Sequence, residues 1–129
     1  MNTIYKTLLI CAGLALAAAP ATAEEPAGSE QQAKQLYDIG FKLGIAATVS
    51  FERARKLRAV VAAMPLDALL LESDAPDQPG AAHRGELNQP AYVVEHLETM
   101  AKLRDMPVET LALALTRNTE ALFGLEVAA

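Results

Sequence analysis

Apolar residues recur along this chain at two spacings, and the alternation between them predicts its elements. Ser29 and Gln32 form a capping-box pair; Ala33, Leu36 and Tyr37 then share one face of a short helix that Gly40 ends. Phe41 to Ser50, FKLGIAATVS, is rich in β-formers and predicts a buried strand with Gly44 as a point of close backbone approach. Ser50 then caps a second helix with Glu52 in its first turn and Ala54, Leu57, Val61 and Met64 as its apolar stripe. Arg53, Arg55, Lys56 and Arg58 fall mostly on other faces, read as a solvated helix surface rather than a nucleic-acid patch, and Pro65 stops the helix.

Ala68 to Leu71 is apolar without alternation, the pattern of a parallel strand covered on both faces. A loop rich in Pro, Gly and polar residues follows from Ala75 to Gln89. Pro90 opens a third helix on which Val94, Leu97 and Ala101 share a face, with Tyr92, Met100 and Leu103 near it. Pro107 opens a last helix through Leu111, Leu115 and Leu122, closed by Gly124. Helix, strand, helix, strand is the rhythm of an α/β fold.

The first 23 residues stand outside this pattern. Lys6 supplies a positive charge, Thr7 to Ala19 is apolar, and Ala21-Thr22-Ala23 is a small-x-small cleavage site, the three parts of a secretory leader. Cleavage after Ala23 divides the chain into a leader, 1–23, and a domain, 24–129, that is secreted or periplasmic. The apolar run is too short, and too soon followed by Glu24, Glu25 and Pro26, to leave a stable membrane span. Cleavage removes Lys6 alone among charged residues, so the net charge of −5 becomes −6. Such a surface does not attract polyphosphate as a whole, and nucleic-acid binding would have to be local or metal-mediated. Cys11 is the one cysteine and leaves with the leader, so packing alone holds the domain.

Asp74 stands just past the second strand, where parallel α/β folds bind ligands. A metal ligand or general base suits that place, and so does a turn former ahead of Ala75-Pro76. Glu72, inside the run, needs a buried partner or the mouth of a barrel. His83 and Arg84 follow in a loop that either lies on the surface or folds back over the same mouth, where an arginine can take a phosphate in bidentate fashion. His96, between Glu95 and Glu98, is expected to face solvent.

PLDALLLESDAP at Pro65 to Pro76, HRGELNQP at His83 to Pro90 and NTEALFGL at Asn118 to Leu125 resemble the C-terminal part of the TatD family of metal-dependent hydrolases. The upstream GSEQQAKQLYDIGFKLGIAATVSF resembles it too, so the likeness runs from Gly28 to Leu125. It implies a (β/α)8 TIM-like barrel that binds divalent metal ions (Mg, Mn or Zn) and hydrolyses DNA or another phosphodiester, typically as a deoxyribonuclease. It implies that Asp74 is a metal ligand that also helps activate water, a catalytic role, and that His83, Arg84 and Asn88 contact a substrate phosphate.

The same resemblance shows what is missing. The family opens with an H-x-H pair and takes further ligands from middle strands; the two histidines here are His83 and His96, and one ligand position holds Glu24. One aspartate cannot hold a hard divalent cation against water. About two parallel strands and four helices are far short of a barrel, for which ~250 residues are typical. The reading is therefore α/β: the C-terminal part of a TatD-like hydrolase behind an export signal, whether a truncated gene, a fusion or an artificial sequence, and inactive alone. Its exposed barrel edges invite self-association or a complementing chain. The alternative is an exported α-rich interaction protein without catalytic activity. If the leader is read correctly, intact-mass analysis of the exported chain will give a product beginning at Glu24; a product that retains Met1 to Ala23 excludes it.

Overall fold

The computed structural model of the chain describes residues 27–125, and side chains from Ser29 onward. The leader and Glu24 lie outside the described residues. Helix α1 spans Ala27–Asp38, strand β1 Leu43–Ile45, helix α2 Arg55–Ala63, strand β2 Leu69–Leu71, helix α3 Val93–Leu103 and helix α4 Val108–Phe123. Among the described residues these are the only helices and strands besides short 3₁₀ turns, in agreement with about two strands and four helices. None of these helices is long and apolar enough to cross a membrane.

β1 and β2 pair in parallel with Leu43 opposite Leu69, Gly44 opposite Leu70 and Ile45 opposite Leu71. One more rung follows, from the N–H of Glu72 to the carbonyl of Ile45 at 3.0 Å. Leu43, Ile45 and Leu69 are at most 2 % exposed and join one core with Val60, Val61, Met64, Met100, Leu111 and Leu115. Helix α1 packs on α2, α3 packs on both α2 and α4, and α4 packs on β2.

Sequence periodicity located the helices because each buries one stripe, but several boundaries differ. The first strand is shorter than Phe41 to Ser50. After Ile45 the pairing stops, and Ala47–Ser50 coils into a 3₁₀ turn with Ala47 and Val49 buried. The Ser50 hydroxyl closes that turn on the Ala47 carbonyl at 2.6 Å and accepts the N–H of Ala81 at 2.8 Å. It is therefore not available as a helix cap, and α2 starts at Arg55 without a side-chain cap. α1 likewise begins at Ala27, which places Ser29 within the helix rather than ahead of it. Gly40 ends α1 as expected, at φ 95°.

Two side chains satisfy carbonyls that the short elements leave over. Arg104 donates from Nη1 to the carbonyls of Val61 and Met64 at the end of α2, at 2.6 and 2.9 Å. Asn118, on α4, donates from Nδ2 to the carbonyls of Leu66 and Leu69, both at 2.8 Å, tying that helix to the head of β2. Asn118→Ala is expected to lower the unfolding free energy by about 2 kcal/mol, because it strands two partly buried carbonyls. Thr116→Ala on an exposed position of the same helix should stay within about 0.5 kcal/mol. Urea denaturation of the two variants checks the difference.

Candidate functional site

The carboxyl ends of β1 and β2 lie level, so the segments after them leave the sheet side by side. β2 runs into Glu72, Ser73 and Asp74, all partly buried. The Glu72 carboxylate lies over Gly44 on the neighbouring strand: a Cβ at that glycine would sit 2.7 Å from each carboxylate oxygen. The close approach expected at Gly44 is thus made by a side chain. Asp74 takes a left-handed backbone, φ 56°, which aspartate tolerates better than most residues. Its carbonyl accepts the N–H of Asp77 at 2.9 Å to close the turn.

Asn88 holds this turn from inside. It is 3 % exposed, and its Nδ2 donates to the carbonyls of Ser73, Asp77 and Gln78, one residue before Asp74 and three and four after it. Its own N–H donates to Pro76 at 2.9 Å, while Oδ1 is buried with no partner. The amide expected to meet a phosphate is engaged in shaping the loop around Asp74.

His83 is engaged as well. Nδ1 is 3.0 Å from Glu86 Oε2, Nε2 is 2.7 Å from Glu95 Oε1, and the ring stacks on Tyr92 with centroids 3.6 Å apart. In its protonated form the ring donates to both carboxylates, one from each nitrogen. The hydrogen bond to Glu95, then that to Glu86, raise its pKa above the ordinary histidine value. Arg84 is exposed, with its guanidinium 5.3 Å from the centre of the Phe51 ring.

His96 corrects the expectation of a solvent-facing residue: it is 0 % exposed. Val93, three positions before it, and Met100, four after it, are half-buried and buried on the same helix, whereas Val94, expected in the buried stripe, is 52 % exposed. The helical spacing carried that signal, and Glu95 and Glu98 obscured it. His96 Nδ1 lies 3.4 Å from the Glu72 carbonyl, and Nε2 faces Gly80 without a partner. Burial lowers its pKa, against smaller opposing effects of the Glu72 carbonyl, Glu95 and Asp74.

The family model described as TatD related DNase matches residues 26–124. The chain belongs to the TatD-related DNase family. A metal-dependent hydrolase of Haemophilus influenzae, described as uncharacterized, is 39% identical over 97 residues, covering 75% of this chain and 37% of the relative. The hydrolase YjjV of Escherichia coli K12, described in the same words, is 40% identical over 98 residues, covering 76% of this chain and 38% of the relative. The crystal structure of YjjV, a TatD homolog, superposes with a TM-score of 0.71 at 34% identity, covering 83% of this chain and 39% of that one. The chain thus spans well under half the length of these TatD relatives, and its sheet and helices are consistent with part of a TIM barrel. A metal-dependent family calls for converging ligands, yet the described residues contain no group of three His, Cys, Asp or Glu side chains able to hold a cation. Asp74 does not make a metal centre with them alone.

The two histidines lie on opposite sides of the ordinary pKa, about 6.5. The stabilisation from His83 is fully present below about 6.5 and is lost as pH rises through its raised folded value. That from His96 is present above about 6.5 and is lost as pH falls through its lowered folded value. These are the only histidines in the chain, so a ¹H–¹³C NMR titration should give two imidazole transitions bracketing 6.5, and His83→Gln should delete the upper one. A single shared transition near 6.5 contradicts both environments.

Proposed function

We propose that this chain is the C-terminal part of a TatD-like hydrolase that cleaves phosphodiester bonds, DNA first among them, with a divalent Mg, Mn or Zn ion, and that it acts when further polypeptide completes the barrel. The observation that carries the reading is the DNase family match across residues 26–124, within which Asp74 follows the carboxyl end of a parallel strand, the end at which such folds bind ligands. With Met1 to Ala23 as leader, its place of action is the periplasm or the exterior.

In this reading Asp74 gives the metal one carboxylate ligand and the remaining ligands lie outside residues 27–125. A cation bound there would polarise a phosphoryl oxygen and lower the pKa of water. Since the described residues do not fit a complete site, what they contribute is position. Asn88 fixes the peptides on both sides of Asp74, so the backbone that carries its carboxylate is held in one geometry. Among the three expected phosphate contacts, Arg84 is exposed for direct contact, while His83 and Asn88 act on the phosphate through the loop they hold. The edges of β1 and β2 that no other strand pairs among the described residues are the surfaces to which a complementing chain, or a second copy, would add strands.

The test mixes the purified chain with a separately produced amino-terminal portion of YjjV and follows cleavage of labelled DNA with Mn²⁺. Cleavage should need both parts, stop with EDTA, and fall by at least about 100-fold in Asp74→Ala, since loss of even an outer-shell group costs up to that much. Cleavage that persists unchanged in Asp74→Ala would remove Asp74 from the site. An interaction protein without catalytic activity would instead be indifferent to chelator and to this substitution.

A further inference from the structure

Arg53 does not sit on the solvated helix face where sequence reading puts it. α2 begins at Arg55, and Arg53 lies in the bend between the 3₁₀ turn Ala47–Ser50 and that helix. Its guanidinium carbon is 5.2 Å from the centre of the Phe51 ring, and that of Arg84, from the other loop, is 5.3 Å from the same ring. The two guanidinium carbons are therefore no more than about 10.5 Å apart. The hydrogen bond from Ala81 N–H to the Ser50 hydroxyl joins their two segments, so the convergence is built into the backbone.

Both arginines are exposed, and among the described residues neither makes an ion pair or a side-chain hydrogen bond. Glu86, two residues beyond Arg84, is held by His83. The negative face of an aromatic ring offsets part of the repulsion between two cations gathered on it and leaves their N–H forks directed outward. In a chain of net charge −5 this is a local positive site set against the overall field.

We propose that Phe51, Arg53 and Arg84 form a subsite for the phosphodiester backbone of single-stranded nucleic acid, beside the carboxyl ends of the two strands. This rests on the hydrolase reading above and adds Arg53 and Phe51 to it. Each guanidinium takes the non-bridging oxygens of one phosphate, and Phe51 holds the pair in place. Cationic side chains interleaved with an aromatic ring are the elements of sequence-tolerant single-strand sites.

The experiment uses the full chain in EDTA and fluorescence anisotropy with labelled oligothymidylate, so neither metal nor turnover enters. Arg53→Gln and Arg84→Gln should each weaken binding about tenfold, as expected for loss of a charged hydrogen-bond donor. Each should also flatten the slope of log K against log salt by about 0.7 per lost phosphate contact. Arg117→Gln, an exposed cation on α4, should bind within about twofold of wild type and flatten nothing. Inorganic phosphate should displace the oligonucleotide more than NaCl of equal ionic strength. The proposal is overturned by a wild-type chain that does not bind, by Arg53→Gln binding as wild type, by equal loss in Arg117→Gln, or by equal affinity for a duplex of the same length. Circular dichroism confirms that each variant is folded, and Arg53→Lys, which keeps the charge but loses the fork, should recover only part of the affinity. Binding in EDTA without cleavage on complementation keeps this subsite and removes the hydrolase reading; cleavage undiminished by Arg53→Gln does the reverse.

Discussion

The register between two three-residue strands is the constraint on which the remaining features depend. Leu43 opposite Leu69, with the extra rung from Glu72 to Ile45, makes both strands end at the same level. A slip of one residue would exchange the faces of every side chain on one strand, turning Gly44 away from Glu72 and a core leucine toward the open side. Three rungs are too few to enforce this alone. The enforcement comes from burial: Leu43, Ile45 and Leu69 are seated in the helical core, and Asn118 fastens the carbonyl at the head of β2 to α4. Packing on one side of the sheet thereby sets the chemistry at its end.

What the sequence made legible was what local periodicity encodes. The stripe of α4, the apolar run of β2 and the placement of Asp74 just beyond it all follow from neighbours within a few residues. What it hid were bonds made across the chain. Ser50 has the composition of a helix cap, yet its hydroxyl meets Ala81 from a distant loop, and the first strand shortens accordingly. His83 looked available because its partner Glu95 belongs to another element. His96 looked exposed because two acidic neighbours outweighed its position on the buried arc of α3. In each case the residue type suited two environments, and only the tertiary partner selected between them.

The loop from Asp74 to Gln89 illustrates how a segment without regular structure keeps a fixed shape. Its carbonyls converge on one buried amide, Asn88, and its far end is stacked and ion-paired through His83 to α3. The polar side chains that a list of motifs would assign to ligand contact are largely holding this frame. Arg84 is among the side chains of the loop that this frame leaves exposed.

The contact between Gly44 and Glu72 has a consequence for how the sequence can drift. A methyl group at position 44 would meet the tip of a flexible side chain, not backbone, so the fold would survive while the carboxylate swung to another rotamer. Position 44 therefore bears on a strand-end acid remote from it in sequence, because its glycine leaves the room that the Glu72 carboxylate occupies. Substitutions at 44 and 72 are consequently linked in effect, and a change at either alters the meaning of a change at the other.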